Sequence, residues 1–146
     1  MKKITILYIA LIALTVLALA SIAADGGRQF TTTLTGAAEA PGPGDPDGSG
    51  TATITLNYGQ STVCWEIEVS GITLPATLSH IHEAPVGVPG PIVVHLTPPD
   101  ASGFSSGCDI VDRAEIKDII QHPEEYYVNV HNADYPAGAV RGQLSK

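Results

Sequence analysis

The chain has 146 residues with seven Lys plus Arg against fifteen Asp plus Glu, a formal net charge of −8. That length suits one domain with one core, and that acidity speaks against a protein that binds phosphate backbones, so nucleic acid is excluded as a partner. With only two cysteines and a single methionine at position 1, thiolate clusters and methionine-rich metal carriage are excluded as well.

Lys2 and Lys3 open the chain, an apolar run follows from Ile4 to about Ala20, and Ser21-Ile22-Ala23 places small residues where a leader peptidase cuts. This reads as a secretory signal peptide over residues 1–23, leaving a single domain over 24–146. The alternative is an uncleaved anchor, because Ile4 to Ala24 is long enough to span a bilayer. Only in that case is a membrane a partner. Both readings export the domain to a secreted, periplasmic or cell-surface location. Loss of Lys2 and Lys3 with the leader leaves five cations and a net charge near −10.

Gln29 to Leu34 alternates and is rich in Thr, which predicts a strand. Residues 41–50 are too rich in Gly and Pro to hold a ladder and read as a loop. Thr51 to Asn57 and Thr62 to Val69 predict a hairpin about the turn Tyr58-Gly59-Gln60-Ser61. Val63, Trp65, Ile67 and Val69 share one face of the second strand, and Cys64, Glu66 and Glu68 share the other. Ala76 to His82 and Ile92 to Leu96 are further strands. Residues 97–111 read as a Pro/Gly/Ser loop containing Cys108.

Asp112 to Gln121 predicts the one helix, with Asp112 as cap, Glu115 three residues on as in a capping box, and Pro123 ending it. Tyr126 to His131 and Ala139 to Leu144 are the last strands. Short strands separated by turn signals predict an all-β fold: an antiparallel Greek-key-like sandwich or barrel with one short helix. Cys64 and Cys108, in an exported chain, predict one disulfide; two metal thiolates are the weaker alternative, because the spacing matches no zinc motif. Gly103-Phe104-Ser105-Ser106-Gly107 matches Gly-x-Ser-x-Gly by letter but lacks the strand before it and the helix after it that a nucleophile elbow requires.

Four of the five histidines fall on predicted strands: His80, His82, His95 and His131. His80 and His82 are two apart, so in a strand they share a face at about 7 Å, close enough for two imidazoles to converge on one ion. His122 precedes Pro123 and lacks this setting. Any one strand histidine is more often an ordinary surface or core residue; four of five on strands point to a metal site. An imidazole set without carboxylate or thiolate disfavours magnesium, calcium and structural zinc. A blue-copper site is disfavoured by the absent methionine and the paired cysteines. Copper held by histidine alone remains, with a three-histidine zinc site as the alternative. Glu39 and Asn129 are candidates to hold an imidazole tautomer from behind.

Several segments carry a family resemblance: Leu34-Thr35-Gly36-Ala37-Ala38-Glu39-Ala40-Pro41, His80-Ile81-His82, Gly87 to Val94, Tyr126-Tyr127-Val128-Asn129-Val130-His131, and Pro136-Ala137-Gly138-Ala139-Val140-Arg141-Gly142-Gln143-Leu144. Together they resemble the CHRD domain, over roughly residues 29–145. The histidine pattern is more loosely similar to copper–zinc superoxide dismutases, β-sandwiches that hold copper by a His-x-His strand, a third His further on and a fourth late in the chain.

By that similarity His80, His82, His95 and His131 are the copper ligands, and Arg141 is the cation that guides a small anion, superoxide, to the metal. Arg141 can equally be the cross-strand partner of a carboxylate. The zinc-binding His/Asp cluster of those enzymes is missing and the cysteines sit elsewhere, so the similarity implies a copper-only version. A copper-binding protein without turnover, and a structural or adhesive envelope module with incidental histidines, are the competing readings.

Overall fold

The computed structural model describes residues 26–146; the leader segment lies outside the described residues. Eight antiparallel strands form one sheet: β1 (Arg28–Thr35), β2 (Ser49–Asn57), β3 (Thr62–Ser70), β4 (Leu78–Glu83), β5 (Ile92–Leu96), β6 (Phe104–Ile110), β7 (Tyr126–His131) and β8 (Val140–Gln143). Their spatial order is β5-β4-β7-β8-β1-β2-β3-β6. Instead of pairing with β6, β7 returns beside β4, a Greek-key connection. The two end strands face each other across a cleft of about 330 Å³ lined by Val93, Val94 and His95 of β5 and Asp109 and Ile110 of β6, so the sheet curls into a nearly closed barrel.

Alternation decides which side chains fill the barrel. Phe30 and Leu34, Ala52, Ile54 and Leu56, and Val63, Trp65, Ile67 and Val69 point inward and are buried, while Glu66 and Glu68 face solvent. The helix α1 (Arg113–Gln121) packs Ile116 and Ile119 into this core. Asp112 caps it by accepting from the Ala114 amide. The other half of the expected capping box is not formed. Glu115 has a buried Oε1 without a hydrogen-bond partner, and burial together with Glu83 and Asp118 raises its pKa.

One element departs from expectation. The segment read as loop 97–111 contains strand β6, paired with β3 from Glu68↔Phe104 to Thr62↔Ile110. Its weak strand propensity follows from its neighbour. A Cβ on Gly107 would lie 2.6 Å from Cζ2 of Trp65, so the indole needs a residue without a side chain opposite it. Ser105 is small, buried and accepts the Trp65 Nε1–H at 3.1 Å, while donating to the Thr97 carbonyl. The Gly-x-Ser-x-Gly letters are thus a strand shaped around a tryptophan. The same register sets Cys64 directly opposite Cys108, and the two form the disulfide.

Strands β4, β7 and β8 are buried on both faces. One face carries Ile81, Val128, Val130 and Val140 to the core. The opposite, outer face carries polar side chains, and the segments between strands cover it.

Candidate metal centre

Register builds the outer face in rungs. His95 on β5 pairs with His80 on β4, His80 with Asn129 on β7, Asn129 with Arg141 on β8, and Arg141 with Thr35 on β1. In the next rung His82 stands opposite Tyr127, and Tyr127 opposite Gln143. His131 stands opposite Leu78 at the end of β7. The period of two therefore brings four strand histidines to one side of the sheet.

Among the described residues, His80, His82 and His131 form a group whose nitrogen atoms lie within 4.8 Å of one another. All three are buried: His80 is 3% exposed, His82 8% and His131 8%. His80 Nδ1 and His131 Nε2 are 3.3 Å apart. Two nitrogens bound at ~2.0 Å to one tetrahedral ion sit ~3.3 Å apart. His95 is exposed, with its ring centroid 5.0 Å from that of His80, at the margin of the group. His122 is the exposed C-cap of α1 and is not part of it.

Backbone carbonyls select the tautomers. His82 Nδ1 lies 2.9 Å from the Gly90 carbonyl and His131 Nδ1 3.0 Å from the Pro136 carbonyl. A carbonyl only accepts, so each Nδ1 carries the proton and each Nε2 is left bare toward the group. His82 Nε2 is buried and has no hydrogen-bond partner. Both nitrogens of His131 face acceptor oxygens, because its Nε2 is also 3.0 Å from Asn129 Oδ1. A neutral ring has a single N–H, so with Nδ1 protonated its Nε2 is satisfied either by a cation or by the Asn129 amide turned to present its N–H.

Burial works against that cation being a proton. It lowers the pKa of His80 from 6.5 to about 4, with His131, His82 and His95 adding repulsion, and it is the leading cause of the lowered values of His82 and His131. Three neutral imidazoles at pH 7 are in the state a soft or borderline metal ion binds.

Behind the rings lies Glu39, whose carboxyl is 8% exposed, packs on Gly138 and has a buried Oε1 without a hydrogen-bond partner. A Cβ at Gly138 would lie 2.4 Å from that carboxyl, and the residue has φ +144°, so glycine is required twice over. Burial lifts Glu39 to about pH 7 despite the nearby Arg141 guanidinium. Arg141 is itself 1% exposed. It donates to the carbonyls of Val88 and Pro85, both at 2.9 Å, and to Gln143 Oε1 at 3.1 Å. Its carboxylate neighbour, Glu39, acts on it through charge.

Tyr127 was not singled out by the sequence reading. Its ring stacks on His82 with centroids 4.8 Å apart and planes 5° from parallel. Its position two and four residues before Asn129 and His131, on the same face of β7, was the available signal.

Residues 30–144 match the CHRD domain family. The chain belongs to that family. Comparison with curated proteins and with solved structures gave no match. The CHRD domain of this chain thus consists of a nearly closed antiparallel barrel, one disulfide, and a buried imidazole group on the outer face of β4 and β7. The disulfide is consistent with an oxidising compartment outside the cytoplasm.

Proposed function

We propose that this CHRD domain is exported, binds one copper ion through His80, His82 and His131 with His95 as the fourth ligand, and dismutes superoxide. One observation carries the metal reading. The His82 ring is fixed through Nδ1 and presents a buried Nε2 with no partner, beside two further neutral imidazoles. An unsatisfied buried nitrogen costs about 1–3 kcal/mol, which a metal bond removes. The absence of carboxylate and thiolate from the group favours copper, with zinc as the alternative.

The chemistry that copper supplies is a one-electron couple: one superoxide is oxidised to dioxygen, and a second is reduced, takes two protons and leaves as hydrogen peroxide. The chain's own residues do the rest. The carbonyls of Gly90 and Pro136 keep Nε2 of two rings free of protons. Arg141 keeps one positive charge near the rings of an otherwise acidic protein, where it favours the approach of a small anion.

The second reading, copper binding without turnover, is favoured by the burial of all three rings, which narrows access to an ion. The experiment that separates the two is superoxide turnover by the copper-loaded domain, as rate per bound copper against ionic strength, for wild type and Arg141→Ala. The enzymatic reading expects turnover that weakens with salt, and a lower, flatter profile in the variant. No turnover at full copper occupancy leaves copper binding alone.

A further inference from the structure

The contacts around His82 close into a ring. Tyr127 lies flat against the imidazole, and the Arg141 guanidinium carbon is 3.4 Å from the Tyr127 ring centroid. Arg141 also reaches into the segment between β4 and β5, donating to the carbonyls of Pro85 and Val88. Gln143, on the same strand as Arg141, donates to the Ala84 carbonyl at 2.8 Å. That segment ends in Gly90, whose amide donates to the Tyr127 hydroxyl at 3.2 Å and whose carbonyl accepts from His82 Nδ1.

The tip of the segment is a turn closed by the Val88 amide on the Pro85 carbonyl at 3.2 Å, and it packs little apolar surface. Val86 is 75% and Val88 46% exposed, and around Gly87, at φ +78°, there is open space. Beyond that turn and the hydrogen bond of the Glu83 amide to the Pro91 carbonyl, its placement against the sheet rests on polar ties at Ala84, Pro85, Val88 and Gly90. A planar guanidinium can fork to two carbonyls at once, which an ammonium cannot do in the same geometry.

We infer that Arg141 and Tyr127 are positioning residues that hold His82 in one tautomer and one orientation by clamping residues 84–90 over the imidazole. The role rests on the metal reading only for its purpose; the clamp itself is a property of the metal-free chain. It differs from guiding an anion, because Lys at position 141 keeps the charge and loses the fork.

The test is the His82 Nδ1–H signal in NMR spectra of the metal-free protein, followed by hydrogen exchange. In wild type the proton is held by Gly90 and exchanges slowly. In Arg141→Lys it exchanges at least tenfold faster, while amides of β2 and β3 keep their wild-type rates, which reports an intact barrel. Tyr127→Phe, which keeps the stacked ring and removes only the hydroxyl that Gly90 meets, shows the same change in smaller degree and serves if Arg141→Lys does not fold.

Copper affinity then supplies a double-mutant cycle. Arg141→Lys lowers it about tenfold, the scale expected of a group that orients a ligand. It lowers it no further in a His82→Ala background. Unchanged Nδ1–H exchange in both variants overturns the clamp. Faster exchange in the variants, together with a wild-type domain that binds no copper, keeps the clamp and discards the metal reading.

Discussion

The Nδ1 atom of His82 lies 2.9 Å from the carbonyl oxygen of Gly90, eight residues along the chain. This single contact determines which nitrogen of the ring faces His80 and His131. The 3.0 Å contact of His131 Nδ1 with Pro136 does the same on the neighbouring strand. Two strand histidines are thereby oriented, each with its Nε2 turned toward the buried group, by backbone groups of the segments that follow β4 and β7.

Loss of a ring from the buried group should reduce copper binding more than loss of any other histidine. His82→Ala or His131→Ala leaves an incomplete imidazole set, and the affinity of either variant is expected to fall by at least about a hundredfold. His122→Ala, at the exposed end of α1, is expected to bind as wild type does. Copper titrations of the three variants check this, and equal affinities would remove the site.

Acid should unfold the metal-free domain for a reason located in these rings. A base whose pKa is lowered on folding binds fewer protons folded than unfolded, so acid favours the unfolded chain. His80 is lowered from 6.5 to about 4, and His82 and His131 are lowered too, burial leading in each case. Their contribution is complete above about pH 6.5 and is lost as the pH falls toward 4. Glu39 acts in the opposite sense. Its carboxyl is raised from 4.5 to about 7, so its contribution is complete below about pH 4.5 and is lost as the pH rises to 7. Denaturant midpoints of wild type and Glu39→Gln should diverge in favour of Gln as the pH rises from 4.5 to 7. A difference independent of pH would contradict the assignment of Glu39.

The Cys64–Cys108 bridge joins directly opposed residues of β3 and β6 and closes a separation of 44 residues. A loop of that size corresponds to ~3–4 kcal/mol in the chain-entropy account. Cys64→Ser with Cys108→Ser should lower the unfolding free energy by about that amount, and thiol labelling of denatured, unreduced wild type should find no thiol. Two titratable thiols would refute the pairing.

Gly107 tests why β6 carries so few strand-forming residues. Gly107→Ala would bring a methyl within 2.6 Å of the Trp65 indole, and overpacking of this kind costs about 1–3 kcal/mol. Trp65 fluorescence should shift along with the stability. A neutral substitution would mean that the indole does not require the gap.

Much of this was legible in the residues. Seven strands and the helix follow from alternation, from Thr, Val and Ile content and from the Asp112 cap. Strand β6 did not, because Gly107 and Ser105 answer to Trp65 some forty residues away, and that demand overrides local propensity. The histidine pair of β4 and its partner on β7 were visible because a period of two puts them on one face. The groups that orient them were not, because Gly90 and Pro136 act through carbonyl oxygens that every residue possesses. Arg141 was visible as a residue, but its ties to Pro85 and Val88 depend on the path of a segment that only the fold defines.

The central claim is that three buried imidazoles hold a copper ion. The most direct measurement is elemental analysis of the folded domain after copper and zinc are offered together in equal amount, on wild type and on a variant with His80, His82 and His131 all replaced by Ala. The account predicts about one copper per wild-type chain, little zinc, and no retained copper in the variant. Copper retained equally by both proteins, or no metal in the wild type, would contradict it.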